Sequence, residues 1–165
     1  MILDSIILEN FGAYGGRQEA NLTPEEGKPI ILFGGLNGGG KTTLLDAIQL
    51  ALYGAKARTS NRGRLAYKDY LRDSIHRGTD PSEGAVVIIR FRRMIDGEPR
   101  HFELRRSWRQ GVKGIEETVR VLREGLPDDV FTDHWDEVID AYLPSSIAHL
   151  FFFDGEQIKD LAEGG

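Results

Sequence analysis

Five of the seven residues from Gly34 to Gly40 are glycine, and Lys41-Thr42 closes the run. Glycine reaches positive φ without a Cβ penalty and lets another group approach the backbone closely. A loop this rich in glycine loses much chain entropy on ordering, so a ligand that rewards the ordering is expected. The spacing Gly35-Leu36-Asn37-Gly38-Gly39-Gly40-Lys41-Thr42 fits the phosphate-binding pattern G-x-x-x-x-G-K-[ST]. That pattern needs a strand before it and a helix after it. Pro29-Ile30-Ile31-Leu32-Phe33 is a short apolar run that predicts a buried strand. Residues 42–53 predict a helix, with Leu44, Leu45, Ile48 and Leu52 as its apolar stripe and Gly54 as its stop.

The chemistry follows from the spacing. Lys41 stands at a helix start, where a cation is disfavoured unless an anion is near. A triphosphate supplies that anion. Lys41 is then expected on the β- and γ-phosphates and the Thr42 hydroxyl on Mg²⁺. The predicted nucleotide-binding residues are Gly35, Asn37, Gly38, Gly39, Gly40, Lys41, Thr42 and Thr43, with ATP and Mg²⁺ as the ligands.

A second sharp feature is Leu150-Phe151-Phe152-Phe153-Asp154-Gly155-Glu156-Gln157. An apolar strand that ends in an acid is the form of a Walker B element, whose aspartate holds Mg²⁺. Read on its residues alone, Asp154 is that aspartate and Glu156 a candidate base. Elsewhere, strands are predicted over residues 2–9, 18–22, 85–95, 100–109 and 117–123, with a hairpin turn at Asp96-Gly97. Further helices are predicted over residues 65–76, 133–142 and from 155 onward. In the meander, Val87, Ile89 and Phe91 alternate with Ile88, Arg90 and Arg92, and Arg106 shares a face with Trp108. A DNA-facing sheet surface is one reading of those arginines. Lys56, Arg58, Arg62 and Arg64 read either as a solvated loop or as phosphate or DNA contacts.

A length of 165 residues fits one domain, and 40% apolar residues suffice for a core. The chain has no cysteine, which excludes disulfides, cysteine-ligated zinc, iron–sulfur clusters and a thiol nucleophile. No apolar run approaches the roughly 18 residues of a membrane span. The start, Met1-Ile2-Leu3-Asp4, lacks a basic leader region. A cytoplasmic location and no membrane partner are expected. The net charge of −5 is unevenly spread. Residues 56–77 carry seven basic and two acidic side chains, and residues 90–113 carry eight and three. Residues 116–163 carry three basic and thirteen acidic ones. A negative domain with basic patches can still attract phosphate locally.

Ile31-Leu32-Phe33-Gly34-Gly35-Leu36-Asn37-Gly38-Gly39-Gly40-Lys41-Thr42-Thr43-Leu44-Leu45-Asp46-Ala47-Ile48 resembles the head domains of SMC-like ATPases. Ile7-Leu8-Glu9-Asn10-Phe11 is similar to the first strand of such heads. Together with Phe151-Phe152-Phe153-Asp154-Gly155-Glu156, the wording resembles the DndD family, the ATPases of bacterial DNA phosphorothioation (DNA sulfur modification). The resemblance implies an α/β P-loop NTPase of the ABC/SMC-head type. Residues 1–165 would be a single N-terminal lobe, with an antiparallel β-meander packed beside the P-loop strand and helix. The coiled coil and the C-terminal lobe with its signature motif would lie outside it. By family order, Asp154 then falls at the Q-loop rather than at Walker B, and either Asp154 or Gln157 makes the contact to Mg²⁺ or the attacking water. Gly12 and Ala13 stand where relatives use an arginine. The implied partners are the C-terminal lobe, a second head in an ATP-dependent homodimer, DNA sulfur-modification proteins and DNA. The implied activity is ATP hydrolysis, with the lobe alone nearly inactive. The alternatives are a complete small P-loop kinase or NTPase with Asp154 as Walker B, or another SMC-like DNA repair or defence ATPase. A guanine-recognition Asn-Lys-x-Asp motif is missing, which argues against a GTPase.

Overall fold

The computed structural model describes residues 1–28, 30–34, 36, 38–60 and 62–152. Its framework is one six-stranded sheet in the order β2-β1-β3-β4-β5-β6, antiparallel at every pairing. The strands are β1 (Ile2–Phe11), β2 (Tyr14–Asn21), β3 (Ala85–Ile95), β4 (Glu98–Gly111), β5 (Gly114–Arg123) and β6 (Leu126–Pro127). Between β2 and β3 lie helices α1 (Lys41–Tyr53) and α2 (Tyr67–Asp73), and after β6 come α3 (Asp129–Asp133) and α4 (Trp135–Tyr142).

Alternation along the strands decides which face is covered. Ile6 and Leu8 of β1, Val87, Ile89 and Phe91 of β3, and Phe102, Leu104 and Trp108 of β4 form the inner face. Ala47, Leu50 and Ala51 of α1 pack in the same core. One indole fastens a helix to the sheet and another joins two helices. Trp108 Nε1 donates to Leu71 O of α2 at 2.7 Å, and Trp135 Nε1 donates to Leu52 O of α1 at 2.8 Å. Phe91 stacks on Phe102 at 5.2 Å, and Phe102 stacks on Phe131 of α3 at 5.4 Å. The β3–β4 hairpin turns through Asp96 (φ 51°) and Gly97 (φ 81°), the paired left-handed conformation that a two-residue turn needs.

Several expectations are corrected here. Residues 30–33 form no ladder, and Ile30 and Leu32 are 76% and 88% exposed. A buried strand needs a neighbour to pair its backbone and cover its faces, and no described segment does either. The parallel pairing of an α/β P-loop core is accordingly not among the described residues. The strand predicted at residues 150–153 is also absent from its described part. A 3-10 turn spans Ala148–Leu150, and the amides of Phe151 and Phe152 both donate to Ala148 O at 2.9 Å. Local turn bonds replace the ladder there, and Phe151 is 59% exposed. The helix predicted over residues 133–142 starts at Trp135 as α4, the short α3 before it was not predicted, and the helix predicted over 65–76 shortens to α2. The helix predicted from residue 155 lies outside the described residues. The Arg106–Trp108 face points inward rather than toward DNA: both side chains are buried.

Candidate functional site

The glycine loop lies where β1, β2 and α1 meet. Gly38 and Gly40 both take left-handed φ, 81° and 88°, and Gly40 caps α1 without any side-chain bond. The turn is closed by Gly39 N–H on Leu36 O and by Leu44 N–H on Gly40 O, both at 2.9 Å. No acidic residue stands in the first turn of α1, so its amide dipoles meet no carboxylate of their own helix. Lys41 Nζ reaches back to donate to Leu36 O at 2.9 Å. The ammonium therefore lies against the same turn whose amides precede the helix. Such an arrangement holds anions, and phosphates above all.

The structure thus brings Gly38, Gly39, Gly40, Lys41, Thr42 and Thr43 together at one helix start. Gly35, Asn37, Asp154 and Gln157 lie outside the described residues. Among the described residues no group of three or more His, Asp or Glu side chains could ligate a metal. The donor set fits Mg²⁺ nonetheless, because that ion takes one or two protein oxygens and draws the rest from phosphates and water. Thr42, in the first turn of α1, offers one such hydroxyl.

Two residues given no role from sequence support the loop. Tyr14 of β2 donates its hydroxyl to Gly40 O at 3.0 Å, and burial raises its pKa, so it remains a donor at neutral pH. A Cβ on Gly40 would come within 2.8 Å of that hydroxyl. Asp46, buried on α1, accepts from Ser60 N at 2.9 Å and Ser60 Oγ at 2.6 Å, tying the loop after the helix to its first turns. Asp46 carried a signal, an acid inside an otherwise apolar helix. Tyr14 carried none, since its partner is a backbone carbonyl 26 positions away.

Gly12 packs tightly against the start of α1. It has φ +55°, and a Cβ there would lie 2.6 Å from Thr43 Cγ2. The β1–β2 turn presses on the start of α1 and leaves no room for a side chain at Gly12. Gly12→Ala is expected to lower stability in urea unfolding by about 1–2 kcal/mol, the cost of a left-handed alanine. An unchanged midpoint would show that the turn yields freely.

Two members of the basic loop after α1 are committed to structure. Lys56 pairs with Asp140 of α4 at 3.1 Å, which raises its pKa. Arg62 donates to Ala55 O and lies 5.3 Å over the Tyr67 ring. The largest cavity among those described, about 460 Å³, opens between Asp4, Arg92 and His101 and shares no residue with the glycine loop. A phosphate loop grips through its backbone at the surface, so a deep cavity is not required of it.

Two comparisons with known proteins bear on this site. A family model described as an AAA domain matches residues 5–163. Over 65 residues, 39% of the chain, the sequence is 38% identical to a component of the nuclease SbcCD of Vibrio cholerae serotype O1. That stretch spans only 6% of the relative's length.

Proposed function

The chain belongs to the AAA domain family, and on that footing we propose that it is the ATP-binding N-terminal lobe of a split, SMC-like ATPase head. The glycine loop at the start of α1 is the observation that carries this reading. Its left-handed glycines, the Lys41 ammonium and a helix start free of acids suit the phosphates of ATP. In this reading Lys41 moves from Leu36 O to the β- and γ-phosphates, and backbone amides from Gly38 to Thr43 hold the chain of phosphates in line. The Thr42 hydroxyl would hold Mg²⁺, which would neutralise phosphate charge. Gly35 and Asn37 would add to the nucleotide contacts. Asp154 or Gln157 would contact the metal or position the water that attacks the γ-phosphate.

The exposed apolar segment beside the loop supports a split head. Ile30, Leu32 and Leu36 present bare side chains, and their backbone has no ladder among the described residues. A strand from a C-terminal lobe would pair with this segment and cover it. The head would then close on a second copy with ATP between them, in the cytoplasm. The wording of the two long motifs favours the DndD family, so that ATP binding and hydrolysis would serve DNA phosphorothioation with separate sulfur-modification proteins and DNA. The similarity to a nuclease component favours, as a second reading, another SMC-like DNA repair or defence ATPase.

The test compares ATPase rates of this chain alone and together with its C-terminal lobe, with and without DNA and with Lys41→Ala. The chain alone is expected to turn over very little ATP, and the reconstituted head at least tenfold more. Robust hydrolysis by the pure chain alone would refute the split-head reading.

A further inference from the structure

On the sheet face opposite the helices, Arg105 of β4 and Arg120 of β5 are direct cross-strand partners. Their sequence neighbours Leu104, Arg106 and Val121 point into the core, so both guanidinium groups project outward. Like charges placed directly opposite each other destabilise a sheet. The sheet's other cross-strand arginine pair, Arg93 with Arg100, has Arg93 over the Tyr142 ring on the helix-covered side, and other outward arginines have carboxylates. Arg17 pairs with Glu9, Arg90 with Glu103 at 2.9 Å, and Arg109 with Glu116 at 3.4 Å. No described carboxylate pairs with Arg105 or Arg120. The next cross-strand pair in the direction of Arg109 is Ser107 with Thr118, two hydroxyls. Four adjacent positions therefore present only guanidinium and hydroxyl groups, about 5 Å apart across the strands and about 7 Å apart along them. No large exposed apolar side chain lies in these rows: Ile88 and Ile7, in line with Arg105, are buried, and Leu122, the next position along the face from Arg120, is half-buried.

We infer that this outer face, centred on Arg105, Arg120, Ser107 and Thr118, binds the phosphate backbone of a nucleic acid. Arginine and hydroxyl side chains are what proteins use on phosphate oxygens. A phosphate between Arg105 and Arg120 would also relieve the repulsion that the fold otherwise carries. A protein partner would need an apolar anchor at the centre of its interface, and none is present in these rows. The inference deepens the DNA-partner reading above by naming the surface, and it is separate from the nucleotide loop.

The experiment measures binding of a fluorescein-labelled DNA duplex by anisotropy at low and at physiological salt. Wild type, Arg120→Glu, Arg105→Ser and Arg120→Lys are compared, each also assayed for melting temperature with and without MgATP. Arg120→Glu is expected to weaken DNA binding about tenfold or more and to reduce the salt slope by at least about one. Its melting temperature should hold or rise, because a carboxylate then faces Arg105. Arg105→Ser should weaken binding less, and Arg120→Lys should keep most of it. The shift with MgATP should be the same in all four, so a failure of the ATP reading shows separately from a failure here. Absence of DNA binding by wild type, unchanged binding by Arg120→Glu, or displacement of the duplex by polyglutamate as readily as by unlabelled DNA would overturn the inference.

Discussion

MgATP will raise the melting temperature of the chain, and Lys41→Ala will remove about half of that rise or more. A ligand that binds only the folded state stabilises it by RT ln(1 + [L]/Kd), or about 2.7 kcal/mol at one hundred times Kd. For a chain of this size that corresponds to about 5–10 °C. A charge-assisted contact to phosphate contributes about 1.5–3 kcal/mol, so its loss weakens binding roughly tenfold to a hundredfold. At the weak end, less than about 0.5 kcal/mol of the stabilisation would remain at the same ATP concentration. The folded state without ligand should suffer little, because Lys41 is exposed and its ammonium bonds the Leu36 carbonyl of its own loop. A variant that kept the full shift would remove Lys41 from the phosphate site.

Glu117→Ala will be the most damaging single change away from that loop. Arg106 is buried, donates to Glu117 Oε1 at 2.6 Å and to Ala51 O at 3.2 Å, and so links β4, β5 and the last turns of α1. Tyr67 of α2 donates its hydroxyl to the same carboxylate at 2.5 Å, and burial first of all raises the pKa of that phenol. Removing one partner of a buried pair leaves an uncompensated charge, which costs about 3–5 kcal/mol. Chemical denaturation should show that loss for Glu117→Ala. Pairing it with Arg106→Met should recover much of the loss, since an apolar replacement of the whole pair is often near neutral. A loss under about 1 kcal/mol in the single variant would mean that water reaches Arg106.

The glycine loop and the helix that follows it were legible because their constraint is local. Glycines at fixed offsets, a lysine and a helix stripe need no distant partner, and α1 begins one residue before its predicted start. The Asp96-Gly97 turn was legible for the same reason. Residues 30–33 misled because an apolar run reports a tendency to be covered and says nothing about where the cover comes from. The three phenylalanines after Leu150 misled similarly: Phe152 packs edge-on to Tyr53 at 6.4 Å from within a turn rather than from a strand. Alternation placed Arg106 and Trp108 on one face correctly. Which face the helices cover depends on Glu117 and Leu71, 11 and 37 positions away, and no periodicity encodes those pairings.

The direct measurement is an NMR titration of backbone amide shifts with MgATP, and in parallel with adenosine. If the loop is a polyphosphate cradle, the largest shifts will fall on Gly38, Gly39, Gly40, Lys41, Thr42 and Thr43, and adenosine will leave those amides nearly unmoved. Equal shifts with adenosine, or MgATP shifts centred elsewhere in the chain, would contradict it.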